Sequence, residues 1–115
     1  MPVTTVLAVV SVSDPDKSQR FYERLFGRPA DTNPMGVLLE WKVTDDGWLQ
    51  VFQDAERAGT SYLTLGVDGL DEQIAELAAR DLTLEEIEAD PPMRLAQIKD
   101  PDGNLITFGQ KLKGH

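Results

Sequence analysis

The chain contains no cysteine. Disulfides, thiolate metal centres and a cysteine nucleophile are therefore excluded outright. Long apolar runs are missing too: Val3 to Val12, a stretch rich in β-branched residues, is long enough for one strand and too short to cross a membrane. No segment has the charged-then-apolar layout of a secretory leader, so the expected compartment is the cytoplasm, with no membrane partner. Basic residues are scarce. Eleven lysines and arginines stand against 20 aspartates and glutamates, a formal net charge of −9. Such a field aids solubility, repels nucleic acid and favours cationic small molecules or basic partners. No Ser/Gly-rich linker or low-complexity tract interrupts the 115 residues. A single domain, 1–115, made of two modules, 1–56 and 57–115, is the expectation.

What is present begins with a strand feeding a capped helix. After Val12 come Asp14, whose carboxylate can accept from first-turn N–H groups, and Pro15, which suits the first helical position. Phe21, Tyr22, Leu25 and Phe26 fall on one stripe at three- and four-residue spacing. Gly27 supplies a left-handed stop and Pro29 forbids continuation. Beyond a loop over Ala30 to Gly36, Val37 to Val43 and Trp48 to Gln53 flank Thr44-Asp45-Asp46-Gly47, a hairpin signal. A polar connector, Asp54 to Thr60, then leads into a second round of the same plan. Ser61 to Val67 reads as a strand, and Leu70 to Arg80 as a helix with Asp71 and Glu72 in its first turn. Leu82 to Ala89 reads as an exposed strand ended by Pro91-Pro92. Arg94 to Lys99 and Leu105 to Gln110 flank the turn Asp100-Pro101-Asp102-Gly103. The order is βαβββ, twice, which makes an α+β fold.

Period-two alternation sorts these strands into two kinds of face. Val6, Ala8, Val10 and Val12 are aliphatic, whereas Thr5, Leu7, Val9 and Ser11 are mixed. Leu49 and Val51 oppose Trp48, Gln50 and Phe52; Leu63, Leu65 and Val67 oppose Tyr62, Thr64 and Gly66; Ile106 and Phe108 oppose Leu105 and Thr107. Aliphatic faces are expected to pack on the helices. The mixed faces combine apolar wall with a few polar groups, the composition of a ligand pocket, although a dry contact with the other module or a partner subunit would use the same residues.

SDPDKSQRFYERLFG, LQVF, VDGLDEQIAELAARDL and above all DPDGNLITF resemble the glyoxalase/bleomycin resistance/dioxygenase superfamily, over nearly the whole chain. The resemblance implies two βαβββ modules whose mixed sheets curl around a cavity, helices outside, often in a homodimer that in some members exchanges modules. It also implies a divalent ion held from the cavity face of four strands. Carried over one by one, those ligand positions fall at Leu7, Gln50, Tyr62 and Thr107. A catalytic ion wants about three strong protein ligands, so no metal and no cofactor are expected. The only histidine is His115.

Two functional classes follow from the resemblance, with a third behind them. A metal-free small-molecule-binding protein, similar to the drug-sequestering branch, would use Leu7, Val9, Trp41, Trp48, Gln50, Phe52, Tyr62, Thr64, Arg94 and Thr107 as its ligand-binding surface. Trp41, Trp48, Phe52 and Tyr62 offer stacking area, and the acidity suits a cationic or aromatic ligand. Arg94 could hold an anionic substrate or lie on the sheet rim. A metal-independent isomerase or lyase would instead need a carboxylate base, for which Glu40 is placed nearest, facing either way. The third class is a structural or regulatory dimer with a closed interior.

Overall fold

The strand-then-helix start forms as its caps require. β1 (Val6–Val12) leads into α1 (Pro15–Phe26), with Asp14 Oδ1 accepting from the backbone N–H of Asp16 at 3.0 Å and of Lys17 at 3.3 Å. Gly27 ends the helix at φ 72°, in the left-handed region that favours glycine. The remaining elements are β2 (Leu38–Thr44), β3 (Gly47–Gln53), β4 (Tyr62–Gly66), α2 (Leu70–Ala79), β5 (Glu85–Ile87), β6 (Met93–Lys99) and β7 (Leu105–Lys111). This computed structural model describes residues 2–33 and 36–111. Among them no helix is long and apolar enough to cross a membrane.

Two sheets result, ordered β1-β3-β2 and β4-β7-β6-β5. Each opens with a parallel pair, β1 with β3 and β4 with β7, and continues antiparallel. The second sheet completes the βαβββ plan. In the first, the strand after the helix is reduced to a single bridge, Thr32 to Glu40, which occupies the place that β5 holds in the second. Proline and glycine in the loop sequence, Pro29 and Gly36, are poor material for a longer ladder. β1 begins at Val6 rather than Val3, because its partner β3 begins opposite it at Gly47. Of Leu82 to Ala89 only Glu85–Ile87 pairs. Asp81, at φ 63°, turns the chain, Leu82 N–H bonds back to Leu77 O at 2.8 Å, and Leu82 and Leu84 are spent in the core.

The aliphatic faces pack under the helices, except at Val6, which is 65 % exposed at the start of β1. Val10, Val12, Leu39, Leu49 and Val51 join Phe21, Tyr22 and Leu25 of α1; Leu63, Ala96, Ile106 and Phe108 join Leu70 and Leu77 of α2; all belong to one buried cluster. Full burial of a side chain of this size stabilises by about 1.5–3 kcal/mol. With both helices on one side, the molecule is a slab of 41 × 41 × 25 Å whose other side is bare sheet.

The modules are joined by a polar knot. β1 and β4 lie at the inner edges of their sheets, and Ser11 N–H donates to Ser61 Oγ at 3.2 Å. Asp100, buried in the β6–β7 turn, accepts at one oxygen from the N–H groups of Asp102 and Asn104 and at the other from Asn104 Nδ2 and Tyr22 Oη. Asn104 in turn donates to Ser11 O and accepts from Ser61 N–H, both at 2.8 Å. Asp102 takes both the N–H and the hydroxyl of Ser13. Gly59 lies over this turn at φ 87°, where a Cβ would come within 2.5 Å of Asp102 O. The turn is therefore also the seam of the molecule.

Candidate functional site

Register decides which side chains share the bare face. On the first sheet Leu7 lies beside Trp48, Val9 beside Gln50 and Ser11 beside Phe52, with Glu40 on the far side of Gln50. On the second, Tyr62 lies beside Leu105, and Thr64 beside Thr107, which is followed by Gln97. Eight of the ten residues expected to bind ligand are thus brought to the helix-free side. Several are open to solvent: Leu7 is 50 % exposed, Val9 53 % and Tyr62 84 %.

The structure places Trp41 and Arg94 elsewhere. Trp41 shares the phase of Leu39, is fully buried, and packs 5.5 Å from Phe26 and 6.1 Å from Tyr22, ring centre to ring centre. Its indole N–H donates to Arg28 O at 3.1 Å, so even its polar atom is used. Arg94 shares the phase of Ala96, beneath α2, and its guanidinium binds Glu86 of β5 at 2.9 and 3.0 Å and Asp71 of α2 at 2.9 Å. Those two carboxylates, Glu86 foremost, hold Arg94 firmly protonated, and Arg94 draws the Asp71 carboxyl below its ordinary range. It fastens helix to sheet.

Glu40, whose direction the alternation of β2 leaves open, points to the bare face. Gln50 Nε2 donates to one carboxylate oxygen and Thr32 Oγ1 to the other, each at 2.7 Å. These bonds, that from Gln50 first, hold the Glu40 carboxyl below the usual glutamate range. Glu40 is thus a fixed anion and a weaker base than an ordinary glutamate.

A cleft of about 520 Å³ opens between the inner edges of the two sheets, within the size range of small-molecule sites. Trp48 and Thr64, both on the bare face, line it together with Val6, Leu63, Leu65 and Phe108. The cation Arg28 lines it as well. Phe26, Val43 and Gln73 also reach it. Their alternation and helical spacing mark them as core, and nothing in the sequence says that the core parts between β1 and β4.

A slab of two linked α/β modules, with helices on one side and an apolar cleft at the seam, defines a class of paired-module proteins. The chain belongs to the Glyoxalase/Bleomycin resistance protein/Dioxygenase superfamily, whose family model matches residues 5–108. It is similar to a glyoxalase/bleomycin resistance protein from Catenulispora acidiphila, at 25% identity and TM-score 0.88 over 94% of this chain and 98% of that one. It is also similar to an antibiotic binding protein from a Streptomyces species, at 28% identity and TM-score 0.76 over 96% and 98% of the two chains. A lactoylglutathione lyase from Agrobacterium tumefaciens shares the fold, at 21% identity and TM-score 0.78 over 99% and 98%. No curated protein sequence matches the chain.

The family's divalent ion does not fit the residues present. At the four carried-over positions Leu7 offers no donor atom, Gln50 spends its amide nitrogen on Glu40, Tyr62 is a phenol largely in solvent, and Thr107 Oγ1 accepts from Gln97 at 3.1 Å. Among the described residues no three His, Asp or Glu side chains converge as a ligand set.

Proposed function

We propose that this protein binds a small planar or cationic organic molecule without a metal ion, at the seam cleft and across the adjoining bare face, as a homodimer. The observation that carries this reading is the cleft itself: apolar walls, Trp48 at its edge and the hydroxyl of Thr64 beside it. Such a site can stack a ring and orient it with few polar contacts. Glu40, a fixed carboxylate beside Gln50 on the adjoining bare face, and the net charge of −9 favour a cation. The similarity to an antibiotic binding protein supports the same class of ligand. The catalytic alternative needs Glu40 as a base, and its lowered pKa counts against it.

The bare face supports the dimer. Leu7, Val9 and Tyr62 are apolar area that a second copy would cover, and covering it would turn an open surface into an enclosed one. Sedimentation giving a clean monomer at micromolar concentration would contradict the dimer. The ligand reading is tested in a Trp41→Phe protein, where Trp48 is the single tryptophan, titrated with planar organic cations. Saturable changes with micromolar midpoints, about −8 kcal/mol, are expected. A flat response across a broad panel, including neutral aromatics, would defeat it.

A further inference from the structure

On the helix side, away from the bare face, four of the chain's six arginines line one cleft of about 440 Å³: Arg20, Arg24, Arg28 and Arg80, with Gly27 and Pro29 between them. In so acidic a chain this concentration of one sign demands a cause. Helix spacing supplies part of it, since Arg20 and Arg24 stand one turn apart on α1 and Arg28 follows just past its end. Arg80 comes from the other module, at the end of α2, and lies across Gly27, where a Cβ would sit 2.7 Å from its Nη1. Its Nη2 reaches Leu25 O at 3.4 Å, and its Nε is buried with no hydrogen-bond partner.

The carboxylates nearby do not balance these charges. Asp31 pairs with Arg28 at 2.8 Å, and Glu23, the one acidic residue lining the cleft, accepts from Gln19. Among the described residues Arg20, Arg24 and Arg80 have no carboxylate partner. Three guanidinium groups without counter-ions therefore surround a hollow floored by a residue with no side chain. We propose that this cleft is a binding site for a small oxoanion, a phosphate or the phosphate group of a metabolite. Tetrahedral oxoanions accept the paired N–H donors of guanidinium groups, and arginine suits them better than lysine does. Because Arg80 and Arg20/Arg24 belong to different modules, the anion would bridge the seam beside the organic-ligand cleft, with Arg28 lining both, and its binding would stabilise the fold as any native-state ligand does.

The test uses the whole protein in low-salt chloride buffer, titrated with inorganic phosphate and with pyrophosphate by calorimetry and followed by thermal unfolding. Saturable binding is expected, tighter for pyrophosphate, with a melting temperature that rises with anion concentration. Arg20→Gln combined with Arg24→Gln, exposed positions that leave the core untouched, should weaken binding about tenfold or more. Arg80→Lys keeps a charge beside Gly27 but loses the fork, and should weaken it as well. The proposal is overturned if neither anion saturates, or if the double variant binds as the parent does. It is equally overturned if the arginines are instead required for a salt-sensitive self-association in sedimentation, because the cleft would then receive the acidic surface of a second copy. Titrating organic cations on the same variants keeps the two sites distinguishable, since loss of arginines here leaves Trp48 responses unchanged.

Discussion

Tyr22 and Asp100 stand 78 residues apart in sequence, and the phenol donates to the carboxylate at 2.8 Å inside the core. Burial, and then the charge of Asp100, raises the Tyr22 hydroxyl far above the ordinary tyrosine range. This bond ties α1 of the first module to the β6–β7 turn of the second.

Replacing Tyr22 by Phe leaves Asp100 three donors and one unfilled bond in a buried place. The expected cost is about 1–3 kcal/mol in denaturant unfolding. The variant should also differ from the parent in alkali. A raised folded-state pKa means that Tyr22 contributes stability in full below about pH 10, the unfolded value, and loses it as pH rises further, because the unfolded chain gives up the proton while the native one keeps it. The parent should therefore lose up to about 1.4 kcal/mol per pH unit more than Tyr22→Phe does. Parallel alkaline profiles would assign the effect to other groups.

How far such relationships are legible in sequence depends on their range. The caps at Asp14 and Gly27 and the split of Val10 and Val12 from Leu7 and Val9 are local, governed by periods of 3.6 and 2, and the structure has them as expected. Asp100-Pro101-Asp102-Gly103 reads locally as a turn, and it is one, but its carboxylates also hold Tyr22 and Ser13 across the module boundary. No pattern encodes that. Trp41 shows a different limit. Its phase with Leu39 suits the core and its aromatic ring suits a binding surface, and only packing against Tyr22 and Phe26 separates it from Trp48. Arg94 is likewise a fastener only through Asp71 and Glu86, which lie 23 and 8 residues away in sequence.

Gly27 carries two constraints at once. Alanine there would adopt φ 72° with strain and would meet the Arg80 guanidinium at 2.7 Å. Gly27→Ala should destabilise by about 1–3 kcal/mol, more than a left-handed alanine alone, and most of the excess should vanish in a Gly27→Ala/Arg80→Ala double variant. Equal losses in the two backgrounds would show that Arg80 moves aside freely.

Glu40 should titrate below the ordinary glutamate range when followed by carbon NMR. Its lowered pKa means that any stability it contributes is present above that range and lost as pH falls through the native value. Gln50→Leu removes the largest cause, so the Glu40 midpoint should rise toward the ordinary value. Binding of an organic cation that relies on Glu40 should then fail at a higher pH in Gln50→Leu than in the parent. A midpoint unmoved by the substitution would mean that Gln50 does not hold the carboxylate in solution.

The two tryptophans give the sharpest separation between core and site. Trp41 is fully buried against Tyr22 and Phe26 with its N–H on Arg28 O, so Trp41→Ala should cost about 3–5 kcal/mol, a core-sized loss. Trp48 lies at the edge of the cleft, partly exposed, with Leu7 beside it across the parallel pair. Trp48→Ala should therefore cost less stability, while weakening the binding of a planar ligand by about 1–3 kcal/mol through lost stacking and buried area. Denaturant unfolding and ligand titration on both variants check the pair together. A Trp48→Ala protein as unstable as Trp41→Ala, with ligand affinity unchanged where the fold survives, would make Trp48 a structural residue and move the ligand away from the cleft. The opposite pattern, stability kept and affinity lost, is what an aromatic at the edge of a working site produces, because its partner is absent from the unliganded protein and its area counts only once the ligand arrives.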